Sequence, residues 1–256
     1  APVPPKVLAR FADMLSGEAQ VFTPYGATEA LPVCSIGSDE ILADTRYATD
    51  RGRGVCVGRP VPGLDLEIIT ISDEPIAQWQ DDLKVADGEI GEIVVKGPQV
   101  TRSYFNRAES TALGKIECPT DGKFYHRMGD LGYRDDQGRI WFCGRKAHRV
   151  ITAAGTLFTI PCEAIFNTHK DVFRTALVGV GVPGEQTPVL CVELEKGTDT
   201  ATVERIYREL LEIGAGHDVT RNIKRVLFHP AFPVDIRHNA KIFREKLAVW
   251  AGEKLA

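Results

Sequence analysis

The chain has 256 residues, 43% of them hydrophobic and 26% charged, with a net charge of −4. That balance is typical of a globular protein able to bury one or two cores. With no block of like charge, it gives no electrostatic support to nucleic-acid or membrane-surface binding. No apolar run reaches the roughly 18–20 residues that span a bilayer, and no stretch has the form of a signal peptide. Six cysteines are scattered without a CxxC pair. A zinc site is therefore not expected, and the chain reads as reduced and cytoplasmic.

In chain order, Val7, Leu8, Phe11 and Leu15 have helical spacing over 5–15, with Gly17 as a C-cap. A strand over 20–24 runs into Tyr25-Gly26-Ala27-Thr28-Glu29. Gly26 is read as allowing a sharp turn. Thr-Glu after a turn more commonly starts a helix. The functional alternative is a hydroxyl donating to a phosphate beside a carboxylate suited to a hard cation such as Mg²⁺. Gly and Pro over 44–63 predict loop. Strands follow at 64–71 and 90–96, then a hairpin over 124–143 turning at Asp136-Gln137-Gly138. That hairpin carries Asp130 between Gly129 and Gly132, where it is either part of a turn or an acceptor for a pair of ribose hydroxyls. Gly144-Arg145-Lys146 is either a solvated basic link or an arginine facing ribose or phosphate beside a hinge.

The pattern changes near 145–148. A helix (161–169), strands (174–182 and 187–195), a helix (200–213), a strand (224–228) and a helix (241–254) predict a small α+β domain. Lys241 would then open the last helix, a poor place for a cation. No phosphate-binding loop of the GxxxxGK type occurs. A function that uses a triphosphate would need residues beyond these.

Taken together, these stretches resemble motifs of the adenylate-forming superfamily of acyl-CoA synthetases, luciferases and adenylation domains. YGATE resembles YGxTE, GEIVVKGPQVTRSYFN (91–106) the stretch with GE and a Tyr, and YHRMGDLG the Y-x-TGD motif. GRK resembles GR-x before the hinge, VGVGVPGEQTPVLCVEL the VVGVPD segment, and NAKIFREKL the terminal GK-x-x-R-x-x-L motif.

The resemblance implies an α/β plus α+β fold. Residues 1–145 would be the C-terminal part of the large AMP-binding domain, a mixed sheet with a small distorted β-barrel, lacking the N-terminal part with the triphosphate loop. Residues 146–256 would be a small mobile α+β domain, hinged at Lys146, Ala147 and His148. It implies ATP-dependent carboxylate activation with Mg²⁺, AMP being a product. Tyr25 would lie against the adenine, with Gly26 and Ala27 beside the nucleotide. Thr28 would contact phosphate, Glu29 hold the metal, Asp130 bind the ribose with help from Arg145, and Lys241 reach the carboxylate and phosphate oxygens.

The sequence also departs from the pattern. KAHRVITAAGTLF carries one extra residue and Leu157 where arginine is common. Gly155 is kept and Glu163 falls at the small domain's glutamate, but Ala240 replaces the glycine before Lys241. These features resemble the branch that turns long-chain β-hydroxy acids into β-lactones in bacterial olefin biosynthesis, where no CoA is needed and other enzymes of the same lipid pathway are potential partners. A long-chain acyl-CoA synthetase and a non-catalytic nucleotide-binding fragment stand as alternatives.

Overall fold

The computed structural model describes residues 3–17, 19–235 and 238–256, with the backbone alone at 200 and 238–240. It divides into two compact units. The first runs to Arg46 and resumes over Val55–Ala147; the second takes Tyr47–Gly54 and His148–Ala256.

The first unit holds α1 (Pro5–Ala12), β1 (Phe22–Ala27), β2 (Ala30–Gly37) and α2 (Ser38–Glu40), followed by a π-helical turn at Ile41–Thr45; α3 (Arg46–Asp50) comes next, and all of it after Arg46 belongs to the second unit. The first unit resumes with β3 (Val55–Pro60), β4 (Asp65–Ile69), β5 (Gly91–Lys96), α4 (Ala108–Gly114), β6 (Lys115–Cys118), β7 (Lys123–Arg134) and β8 (Ile140–Arg145). These strands make one sheet in the order β1-β2-β3-β8-β7-β5-β4, with β6 added to β7. Every named pair in it is antiparallel. The class is mixed α/β as expected, but the barrel is not closed: β1 and β4 remain the two ends of the strand order. Val33, Leu66, Ile68, Ile93, Val95 and Ile140 form its core.

The loop expected over 44–63 is corrected in part, because β3 lies within it as an interior strand between β2 and β8. The misleading glycine has a local cause. Gly58 has φ 85°, where side chains are strained, and an added Cβ would lie 2.0 Å from the Ser35 carbonyl oxygen. The register of β3 on β8 shifts between Cys56 and Gly58, so this glycine marks a bulge with close backbone approach rather than a strand end.

The second unit holds β9 (Val150–Thr152), β10 (Gly155–Leu157), α5 (Thr159–Phe166), β11 (Val172–Val180), β12 (Thr187–Leu194) and α6 (Val203–Ala215). Then come β13 (Arg225–Phe228), β14 (Val234–Asp235), β15 (His238–Ile242) and α7 (Arg244–Leu255). The β11-β12 pair is antiparallel and β12-β13 parallel. The parallel pair needs a crossover, which α6 supplies. Alternation along β11 sends Leu177 to the face packed by α5 and α6, and Ala176 and Val178 to the face packed by α7.

Lys241 does not open the last helix. It lies exposed on β15, because the chain from 238 to 242 turns back on β14, pairing Val234 with Ile242. The helix starts only at Arg244. The side chains of His238, Asn239 and Ala240 lie outside the described set.

Candidate nucleotide site

Thr28 and Glu29 are the whole turn of a two-residue hairpin, with Ala27 opposite Ala30. The helix start that this dipeptide usually signals is absent. Among described non-glycine residues only Asn106 has a positive φ, so the turn is not the type I′ form that matches strand twist. A bulge between Tyr25 and Ala27 supplies twist instead. Gly26 sits at that bulge. A Cβ there would lie 2.5 Å from the Ala30 carbonyl oxygen, so the glycine permits close approach of the returning strand rather than a sharp turn.

Tyr25, Asp130 and Arg145 meet. The Tyr25 hydroxyl donates to Asp130 Oδ2 at 2.7 Å. Arg145 Nη1 donates to Asp130 Oδ1 at 2.7 Å and to the Met128 carbonyl at 3.2 Å. β1 reaches β7 across three intervening strands in the sheet order, so the open sheet curls far enough for its edge to touch its middle. Asp130 is 4% exposed. Burial pushes its carboxyl up, opposed by the Arg145 charge and the Tyr25 hydrogen bond. Burial and the Asp130 charge push the Tyr25 phenol well above its usual range, so it stays a donor. The result is a carboxylate oriented through both oxygens, each with lone-pair capacity left for hydroxyl donors.

Around Glu29 lies a set of residues to which no motif in the sequence assigns a role. Tyr104 donates to Glu29 Oε1 at 2.9 Å, and the Thr101 N–H donates to the Glu29 carbonyl at 2.9 Å. Burial raises Glu29, but the Tyr104 hydrogen bond, its own backbone N–H and the His126 and Lys115 charges outweigh this and hold it below the usual range. Burial pushes the Lys115 ammonium down to about 8. Tyr104 was visible only as a tyrosine in the 91–106 stretch; nothing local in the sequence tied it to Glu29.

The donor set fits Mg²⁺ better than a metal held by protein alone. Among the described residues no three His, Cys, Asp or Glu side chains cluster as ligands. Mg²⁺ is commonly held by one or two carboxylates with substrate phosphates, which Glu29 and the exposed Thr28 hydroxyl could complete.

His126 is buried, at 3% exposure, and its Nδ1 donates to the Gly114 carbonyl at 3.0 Å. Burial and then the Lys115 charge push its pKa down from 6.5 to about 4. The unfolded chain therefore binds a proton that the native state refuses between those two values, and stability falls on acidification through that window. The full effect is about 3 kcal/mol, at roughly 1.4 kcal/mol for each pH step of one across the window. Urea unfolding at stepped pH should show a shallower slope between pH 5 and 6.5 for His126→Asn, which retains a donor for Gly114. An unchanged slope would clear His126 of this role.

At the end of the first unit, Lys146 Nζ donates to the Ser72 carbonyl at 2.7 Å and to Glu92 Oε2 at 3.2 Å. Ala147 ends the first unit, and the second resumes at His148. In the second unit, Glu163 accepts from Arg244 Nη1 at 2.5 Å and Nη2 at 2.8 Å, and from the Leu177 N–H at 2.7 Å. Lys241 belongs to this second unit, three residues before Arg244.

The profile of the AMP-binding enzyme family matches residues 1–105. The chain is 52% identical over 257 aligned residues to the olefin beta-lactone synthetase of Xanthomonas campestris pv. campestris, covering 99% of this chain and 46% of that protein. Among solved structures, an amide bond synthetase K483A mutant from Marinactinospora thermotolerans has TM-score 0.74 at 23% identity, covering 98% of this chain and 46% of that one. The o-succinylbenzoate CoA synthetase of Bacillus subtilis, in complex with its acyl-adenylate intermediate, has TM-score 0.70 at 20% identity, covering 96% and 44%. These two likenesses concern the fold. The chain thus spans about half the length of the relatives it matches. A family profile over the Thr28–Glu29 hairpin and a relative 52% identical across 99% of this chain lead to one conclusion: the chain belongs to the adenylate-forming, AMP-binding enzyme family.

Proposed function

We propose that this chain forms the ribose-binding and lysine-bearing part of an enzyme that activates a long-chain β-hydroxy acid with ATP and closes it to a β-lactone. The observation that carries the reading is the meeting of Tyr25, Asp130 and Arg145, with Tyr25 and Asp130 105 residues apart, in a chain 52% identical to an olefin beta-lactone synthetase.

A substrate carboxylate oxygen attacks the α-phosphorus of ATP and pyrophosphate leaves, giving the acyl-adenylate. The β-hydroxyl of the same molecule then attacks the acyl carbon, its proton passes to solvent, and AMP leaves. Because that nucleophile is already tethered, its effective concentration is high and no external thiol is required. Asp130 accepts the ribose hydroxyls and Arg145 holds Asp130 in place, with Tyr25 beside the adenine and Gly26 and Ala27 lining that wall. Thr28 donates to a phosphate oxygen. Glu29 holds Mg²⁺, which when bound offsets phosphate charge. Lys241 sets a compact cation against the charge developing on the α-phosphate. The hinge runs over Lys146, Ala147 and His148, where the chain passes from the first unit to the second, with Lys146 bonded to Glu92 and Ser72. The six cysteines, all buried thiols, support a reducing, cytoplasmic setting. Among described residues no helix is long and apolar enough to cross a membrane.

Incubation of the full-length protein with ATP, Mg²⁺ and a long-chain β-hydroxy acid, without CoA, should yield AMP and the lactone. AMP release only after CoA is added would replace this reading with an acyl-CoA ligase.

A further inference from the structure

Glu29 is gripped from two directions by one short segment. The Thr101 N–H holds its carbonyl and the Tyr104 hydroxyl holds its carboxylate at 2.9 Å each. That segment is itself anchored. Lys115 Nζ donates to the Thr101 carbonyl and, at 3.1 Å, to Thr101 Oγ1. The Tyr104 N–H donates to Thr111 Oγ1 at 3.0 Å, and Thr111 Oγ1 donates to the Arg107 carbonyl at 2.8 Å, where α4 begins. Among the described residues, Tyr104 is the only side chain that donates to Glu29, and it takes Oε1.

A glutamate in a two-residue turn has no strand neighbour to fix its side-chain torsions, and ordering it on ligand binding would cost rotamer entropy. A phenol already bonded to one oxygen removes that cost and presents the other oxygen, Oε2, in a set direction. Outer partners of this kind commonly change metal affinity or activity by about 10–100-fold when lost. We propose that Tyr104 is a positioning residue for Glu29, aiming Oε2 at the divalent cation that accompanies the nucleotide. This inference rests on the reading that Glu29 holds Mg²⁺.

The test uses the full-length protein as wild type, Tyr104→Phe and Glu29→Gln. Mn²⁺ binding is followed by electron paramagnetic resonance with α,β-methylene-ATP present, and binding of the analogue alone by calorimetry in EDTA. Tyr104→Phe should weaken Mn²⁺ binding by about 10-fold, with analogue affinity in EDTA and the thermal midpoint unchanged. Wild-type Mn²⁺ affinity in Tyr104→Phe overturns the role, as does an equal loss of analogue binding in EDTA. If Glu29→Gln also binds Mn²⁺ like wild type, the metal reading itself fails, and the assignment of Tyr104 falls with it.

Discussion

Replacing Lys241 with alanine in the full-length protein should lower the rate of acyl-adenylate formation by on the order of 10²–10³-fold, the usual effect of removing one group set against transition-state charge. AMP affinity should stay within a few-fold, because Tyr25, Asp130 and Arg145 all belong to the first unit. The fold should be indifferent. Lys241 is exposed, and surface changes of this kind usually move stability by no more than about 0.5 kcal/mol. Its base is nonetheless firm. The Phe243 N–H donates to the Pro233 carbonyl at 2.9 Å, and the half-buried Arg244, three residues on, is paired with the buried Glu163. Pyrophosphate release measured at saturating ATP and acid, beside calorimetry with AMP, decides the matter. Adenylation within a few-fold of wild type would remove Lys241 from the mechanism.

The largest effect on stability should come from Glu92→Ala. Glu92 is 1% exposed. Its Oε2 accepts from Arg127 Nη2 at 2.7 Å, Arg127 Nε at 3.2 Å and Lys146 Nζ at 3.2 Å. Oε1 has no partner among the described residues, so one oxygen serves both cations. Alanine leaves two positive charges facing each other with little water, at a cost of about 3–5 kcal/mol. Arg127→Met should cost less, because Glu92 keeps Lys146 and the loss is limited to one partner and its bonds to the Ser72 and Glu74 carbonyls. Urea unfolding followed by tryptophan fluorescence gives the order, with Trp79 and Trp141 both in this unit. If Arg127→Met proves the more damaging, a charge-balance account of the triad is wrong.

What the sequence disclosed depended on how local the cause was. The β7-β8 hairpin was legible because Asp136-Gln137-Gly138 is a turn in its own right, with Asp135 Oδ1 accepting from the Gln137 and Arg139 N–H groups at 3.0 and 2.9 Å. The residue types of the site were legible through motif order. Their geometry was not. The contact between Tyr25 and Asp130 depends on the curl of the whole sheet, and Tyr104 meets Glu29 from 75 positions away. β3 was hidden by Gly58, whose composition signals a turn while its surroundings demand a missing Cβ. The place of Lys241 was hidden because an apolar spacing that fits α7 extends back over residues that pair with β14 instead.

Counting outward from the β7-β8 turn, Arg134 faces Ile140, Tyr133 faces Trp141 and Gly132 faces Phe142, until one extra residue enters and Asp130 comes to face Arg145. Had the register continued without that shift, Arg145 would be opposite Gly129, and its side chain would leave on the other face from Asp130. The pairing of Asp130 with Arg145 is therefore a matter of parity. A slip of the β7-β8 register by a single residue between Asp130 and the turn would separate acid from base by the thickness of the sheet. Conversely, a second single-residue change on either strand would bring them back to the same face.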